Sequence, residues 1–137
     1  MSVAARPLTG YNTVMDIRFS IGSLQMEAKL NDSSTARLIA SRLPFDAKAE
    51  LWGKEVYFYI GPKVELEPAY AADVVEAGDV AYWPQGPCLC LFFGPTPSSR
   101  DGKIMPASAV TVLGRLTGEI KQLEKVKDGD SVKVERV

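Results

Sequence analysis

From Val14 the chain alternates strictly: Met15, Ile17, Phe19 and Ile21 are apolar, with Asp16, Arg18 and Ser20 between them. Gly22-Ser23 interrupts the pattern, and Leu24, Met26, Ala28 and Leu30 then resume it against Gln25, Glu27, Lys29 and Asn31. A period of two marks a half-buried strand, and a two-residue turn containing glycine joins two such strands into a hairpin. The turn fixes the register. Ile21 faces Leu24, Phe19 faces Met26 and Ile17 faces Ala28, so every apolar residue meets another.

The period then changes. Ala36, Leu38, Ile39, Ala40 and Leu43 form the apolar stripe of a helix, with Asp32 or Ser33 as its cap and Pro44 as its end. Residues 45–51 read as a weaker strand and Gly53 as a break. Residues 54–60 are a strand with Val56, Phe58 and Ile60 on one face and Tyr57 and Tyr59 on the other, stopped by Gly61-Pro62. Val64 and Leu66 suggest a short extended piece, and 71–77 one or two helical turns. Strands follow at 79–83 and 88–93, then a long loop at 94–105 around Pro95, Pro97 and Asp101-Gly102. Residues 109–116 form a strand with Val110, Val112 and Gly114 on one side; a short helix opens at Thr117 or Gly118 and runs to Lys125; 131–137 is a closing strand. Residues 1–11 have no periodicity and read as a flexible tail, leaving 12–137 as a single domain. Seven or eight short strands with two helices predict an all-β fold, a closed or nearly closed barrel with the helices as lids. Both faces of 88–93 are apolar, so a helix or loop must cover the outer one.

Composition narrows function more than fold. With 137 residues, one domain with a full hydrophobic core is expected. Sixteen Lys and Arg against 17 Asp and Glu give a net charge of −1, which provides no positive field for nucleic acid or an anionic membrane. The first residues lack the pattern of a signal peptide, and no window reaches the apolar length of a membrane span, so cytoplasmic residence is the expectation. Histidine is absent. This removes Ser-His-Asp and Cys-His catalysis, most zinc sites and the usual base near neutral pH. No catalytic residue, metal or cofactor is assigned.

The segment from Gly78 to Gly94 is the richest in candidate chemistry. Tyr82 and Trp83 followed by Pro84 read as a stacking platform for a ligand, or as packing at the end of the barrel with the hydroxyl and indole N–H at its rim. Phe92 belongs to the same wall. Cys88 and Cys90 lie on the face of Phe92; with no further Cys or His they read as small apolar side chains rather than a metal or redox pair. In the following loop Thr96, Ser98, Ser99, Arg100, Asp101 and Lys103 offer hydroxyls and cations to an anion, although turn chemistry alone accounts for Ser, Asp and Gly there. Nothing fixes a Ser98–Lys103 nucleophile pair. Asp73, Glu76 and Asp79 read as solvated or capping carboxylates, with Asp73 and Glu76 on one face if 71–77 is helical.

Three segments carry a resemblance: 78–94; Lys103-Ile104-Met105-Pro106-Ala107-Ser108-Ala109-Val110; and Trp52-Gly53-Lys54-Glu55-Val56-Tyr57-Phe58. Together, and in this order, they resemble a small prokaryotic family of cyclophilin-like domains of uncharacterised function, over about residues 14–137. The resemblance implies an eight-stranded barrel capped by helices. It does not imply prolyl isomerase activity. True cyclophilins use an arginine on a Phe-His-Arg strand and a glutamine before a Phe-Phe pair; here the similar strand is Tyr57-Phe58-Tyr59-Ile60, and Leu91 precedes Phe92-Phe93. That arginine would polarise the prolyl amide nitrogen and lower a barrier of about 18–20 kcal/mol.

The expectation is therefore a binding domain whose groove involves Tyr57, Phe58, Tyr82, Trp83, Phe92, Thr96, Ser98 and Lys103, and whose partner is a small molecule or a proline-containing peptide. Two alternatives stand beside it: a degenerate prolyl isomerase using Tyr57, Tyr59 or Lys103 as donor, and an interaction module or subunit of a larger enzyme. The sequence names neither the ligand nor an oligomeric state.

Overall fold

The first hairpin forms in the register that its pattern dictates. In the computed structural model, which describes residues 15–137, β1 (Met15–Ile21) pairs with β2 (Leu24–Leu30) through Ile21 with Leu24, Phe19 with Met26 and Ile17 with Ala28. Gly22 takes a φ of 59° at the turn, a left-handed conformation that glycine adopts without steric cost. The tail expected at 1–11 lies outside the described residues.

The remaining strands are β3 (Phe45–Lys48), β4 (Glu50–Leu51), β5 (Glu55–Tyr59), β6 (Ala71–Ala72), β7 (Asp79–Trp83), β8 (Cys88–Phe92), β9 (Val110–Leu116) and β10 (Ser131–Arg136). They form one antiparallel sheet in the order β3-β10-β1-β2-β9-β7-β8-β5-β4, with β6 beside β9. The two ends of this path are neighbours in the chain, separated by Ala49 alone. Ala49 is fully buried; its N–H donates to the Asp130 carbonyl at 2.8 Å, and its carbonyl accepts from Gly129 at 2.8 Å. One bent stretch therefore pairs with β10 through its first half and with β5 through its second, and the sheet comes round into a nearly closed barrel. The path holds nine strand segments rather than eight because this stretch breaks at Ala49.

The helix α1 (Ser34–Ser41) buries Ala36 and Ile39 against the barrel core. Ser33 caps it, its Oγ accepting from the Ala36 N–H at 3.1 Å. A carboxylate distant in sequence completes the cap: Glu67 accepts from the N–H groups of Ser34 and Thr35 at 3.0 Å each, and from the Thr35 hydroxyl at 2.9 Å. The N–H groups that open a helix have no partner within it, so this carboxylate satisfies two of them.

Three expectations need correction. Residues 71–77 are not helical: a 3-10 turn at Pro68–Tyr70 leads into β6, where Ala71 pairs with Thr111 and Ala72 with Val110. Alanine's helix preference, strong as it is, yields here to pairing with a strand remote in sequence. The short helix expected to run to Lys125 forms, but it opens at Ile120 rather than at Thr117 or Gly118 and is a 3-10 helix, Ile120–Lys125. Finally, Val110, Val112 and Gly114 do not share a face. β9 carries a bulge: Val80 pairs with Gly114 but Ala81 with Val112, which leaves Leu113 as the extra residue. Leu113 enters the barrel core, whereas Val110 faces outward. A Cβ on Gly114 would lie 2.0 Å from the Lys29 carbonyl oxygen, so only glycine lets β2 and β9 approach.

Two hydrophobic clusters result. The barrel interior holds Phe19 and Phe58 in edge-to-face contact at 6.1 Å, with Tyr82, Leu89, Leu91 and the inward residues of the hairpin. The second cluster lies on the outer face of β7, β8 and β9 and holds Val75, Ala81, Cys88, Cys90, Phe92 and Val110. It is the cover that the two-faced β8 demands, supplied by Tyr57, Ala72, Trp83 and Ile104.

Candidate functional site

The outer cluster opens into a cavity of about 340 Å³. One wall starts at a tight turn between β4 and β5. Trp52 and Glu55 exchange backbone hydrogen bonds at 3.0 and 3.2 Å, and Gly53 between them takes a φ of 60°. The loop after β8 lies directly on this turn: the Lys54 N–H donates to the Pro95 carbonyl at 2.8 Å, and a Cβ on Gly53 would meet that same oxygen at 2.9 Å. From the turn β5 alternates. Val56 and Phe58 enter the barrel, and Glu55, Tyr57 and Tyr59 line the cavity. Cys90, opposite Tyr57 on β8, lines it as well, and Pro106, Ala107 and Val110 complete the lining.

Trp83 closes the far side. Its Nε1–H donates to the Ser108 hydroxyl at 2.7 Å, tying the end of β7 to the loop before β9. Gly86 sits under the ring: a Cβ there would lie 2.9 Å from Trp83 Cζ3. Both tryptophans of the chain, Trp52 and Trp83, therefore face this cavity.

Glu55 is the chemically distinctive member. Its side chain lines the cavity, yet the residue is only 6% exposed. Burial raises its pKa from 4.5 to about 7, with a hydrogen bond from the Cys90 thiol opposing part of the rise. Around it burial lifts the other acids too. The Cys88 thiol rises to about 12, helped by the charges of Glu55 and Glu50. The Tyr57 phenol rises to about 12, by burial and then by Glu50, whose carboxylate accepts its hydroxyl at 3.2 Å. The Cys90 thiol is pushed well up by burial and by Glu55. Both cysteines are free and buried, and thiols held in this way are poor nucleophiles near neutral pH. The site offers flat aromatic walls and one carboxyl group that exchanges its proton near neutrality.

Of the eight residues expected to bind a ligand, the structure brings Tyr57 and Trp83 to this cavity. Phe58 and Tyr82 are buried inside the barrel, because strand alternation turns each away from its aromatic neighbour. The Tyr82 hydroxyl donates to the Pro62 carbonyl at 2.9 Å and accepts from the Val64 N–H at 3.0 Å, fixing the crossover after β5. Phe92 is fully buried in the outer cluster. Thr96 and Ser98 belong to the loop's internal bonding. The Thr96 hydroxyl donates to the Met105 carbonyl and accepts from the Ser98 N–H, and Ser99 Oγ accepts from the N–H groups of Thr96 and Met105. Lys103 is exposed and ends a tight Asp101-Gly102 turn in which both central residues have positive φ. Asp79 is fully buried, accepts from the Glu76 N–H at 2.9 Å and lies 3.7 Å from Arg115, so it holds its own turn as a capping carboxylate does. Glu55 and Tyr59 (the latter named only as an alternative isomerase donor) lie outside the expected set, as do Trp52, Cys90, Pro106, Ala107 and Val110. For the first two the signal was present: they share the outward face of β5 with Tyr57.

Among the described residues, no group of three or more His, Cys, Asp or Glu side chains is placed to hold a metal ion, and no helix is long and apolar enough to cross a membrane.

The model of the cyclophilin-like family matches residues 15–135, nearly the whole of the barrel. The chain belongs to the cyclophilin-like family. Among solved structures, this cyclophilin-like chain is similar to the solution structure of the hypothetical protein AF2241 from Archaeoglobus fulgidus, at 46% sequence identity and a TM-score of 0.78, over 93% of this chain and 99% of that one. No curated protein matches the chain.

Proposed function

We propose that this cyclophilin-like chain is a binding protein that takes a small molecule, or a side chain of a peptide, into the outer-face cavity. The supporting observation is the cavity itself: about 340 Å³, walled by four aromatic side chains, with a single buried carboxyl group at Glu55. Ligand sites are concave, largely apolar and carry a few polar groups that orient the ligand, and their volumes start at about 300 Å³. Among the described residues, none that lines the cavity is basic, which favours binding without the chemistry of a prolyl isomerase.

The test is an NMR titration of the labelled protein with a small-metabolite library and with a short Ala-Pro peptide. Binding here shifts the amides of residues 52–59, 83–90 and 106–110 and changes the emission of the two tryptophans. Trp83→Ala abolishes the response while preserving the spectrum of the hairpin. Shifts from the peptide with accelerated cis–trans exchange would replace the binding reading with an isomerase. A complete absence of localised shifts, or a Trp83→Ala protein that binds as well as the original, would remove the cavity from the account.

A further inference from the structure

Four rings line the cavity, Trp52, Tyr57, Tyr59 and Trp83, together with one carboxyl group, Glu55. A second carboxylate, Glu50, stands beside them and accepts the Tyr57 hydroxyl. We infer that the ligand of this cavity is an organic cation, an ammonium group on a small apolar body, whose charge sits between the aromatic rings and the Glu55 carboxylate. This rests on the binding reading above and narrows it to one chemical class.

Charge complementarity carries the inference. Glu55 is 6% exposed, and its hydrogen-bond donor is the uncharged thiol of Cys90. A buried carboxylate without a cation is costly, and a ligand that brings the missing charge offsets that cost. Among the described residues, every element packed around Glu55 withholds that charge. Its own strand presents Tyr57 and Tyr59, β8 presents Cys88 and Cys90, β4 presents Glu50, and the rest of the lining is the indoles with Pro106, Ala107 and Val110. The titratable groups in this set are neutral or negative. An anionic ligand would add to the buried charge; a neutral one would leave it uncompensated.

The aromatic geometry points the same way. The Tyr57 and Tyr59 rings meet at 78° with centroids 6.1 Å apart, forming a corner, and Trp83 is held by its bond to Ser108 on the far side. Ring faces attract ammonium groups, most strongly where water is excluded. Cation binding also requires ionised Glu55, whose pKa is about 7. The ionised fraction, and with it the affinity for a cation, therefore rises about tenfold from pH 6 to pH 8. A neutral ligand of the same shape shows no such rise.

The experiment titrates the full chain with phenethylammonium, its neutral analogue 2-phenylethanol, the anion phenylacetate, and a blocked Gly-Lys-Gly peptide, at pH 6 and pH 8, read by tryptophan emission and amide shifts. The expected result at pH 8 is a preference for the amine over the alcohol of about tenfold, and a larger one over phenylacetate. The preference shrinks at pH 6 and disappears in Glu55→Gln, which keeps the rings and the side-chain size. If that variant does not fold, the pH dependence of the unaltered chain decides. Tighter binding of the lysine peptide than of the amine would assign the cation to a peptide side chain, and weaker binding to a free amine; both sustain the inference. Alcohol or phenylacetate binding as tightly as the amine, with shifts at the cavity, would overturn the cation and leave the binding site standing. No localised shift from any of the four would overturn both.

Discussion

Glu55 and Glu67 are glutamates that the fold treats in opposite ways. Glu67 lies at the mouth of α1, where burial alone would raise its pKa, but two backbone N–H groups and the Thr35 hydroxyl outweigh burial and hold it below the ordinary value. Glu55 lies on the outer face of β5, where burial meets only a thiol, and its pKa rises to about 7. The first carboxylate is anchored: its charge is spent on organising a helix start. The second is left uncompensated in a cavity. This contrast, a buried charge solved in one place and left unsolved in another, is what the proposed binding site at Glu55 rests on.

The sharpest way to break this comparison is to remove both charges in turn and follow stability against pH. For Glu55 the folded state holds its proton more tightly than the unfolded chain. Its contribution is therefore fully present below pH 4.5 and lost as pH rises through about 7. Glu55→Gln should stabilise the protein at pH 8 by up to about 3 kcal/mol and leave it unchanged near pH 4. A destabilised variant at pH 8 would show that Glu55 has a partner in the fold. Glu67 has the opposite sign. Its lowered pKa gives stability that is present above the ordinary carboxylate value and lost as pH falls through the folded one. Glu67→Ala should cost about 1–2 kcal/mol at pH 7 and much less at pH 3, measured by urea unfolding.

Smaller effects sharpen the picture of the cavity. Ser108→Ala removes the acceptor of the Trp83 indole and should cost about 1 kcal/mol, with a change in tryptophan emission that Glu67→Ala does not produce. Cys90→Ala removes the donor to Glu55, so the midpoint of Glu55 should move up with little change in overall stability at low pH. An unmoved midpoint would show that the thiol does not reach the carboxyl group.

The β1–β2 hairpin was fully legible in the sequence because everything that defines it is local: a period of two, a glycine turn and a register in which apolar residues meet. The core face of β5 was legible for the same reason, since Val56, Phe58 and Ile60 stand out against Tyr57 and Tyr59. The site was legible only in part. A glutamate in a strand reads as a solvated face, yet Glu55 is buried beside the β4–β5 turn, onto which the loop after β8 folds back in a contact between segments far apart in the chain. Tyr82 and Phe92 were read as a wall because they are aromatic and close in sequence to Trp83, but alternation sends Tyr82 into the barrel and packing buries Phe92. The bulge at Leu113 left no mark in the continuous run from Val110 to Leu113. The helix misread at 71–77 shows propensity yielding to a ladder that no local pattern announces.

The most direct measurement is an NMR pH titration of the protein carrying ¹³C at the glutamate side-chain carboxyls, with Glu55→Gln and Glu67→Gln spectra assigning the two signals. The account predicts a Glu55 midpoint near 7 and a Glu67 midpoint below the ordinary value of 4.5. A Glu55 midpoint at or below 4.5 would contradict it, because the carboxyl group would then be solvated or already paired within the fold.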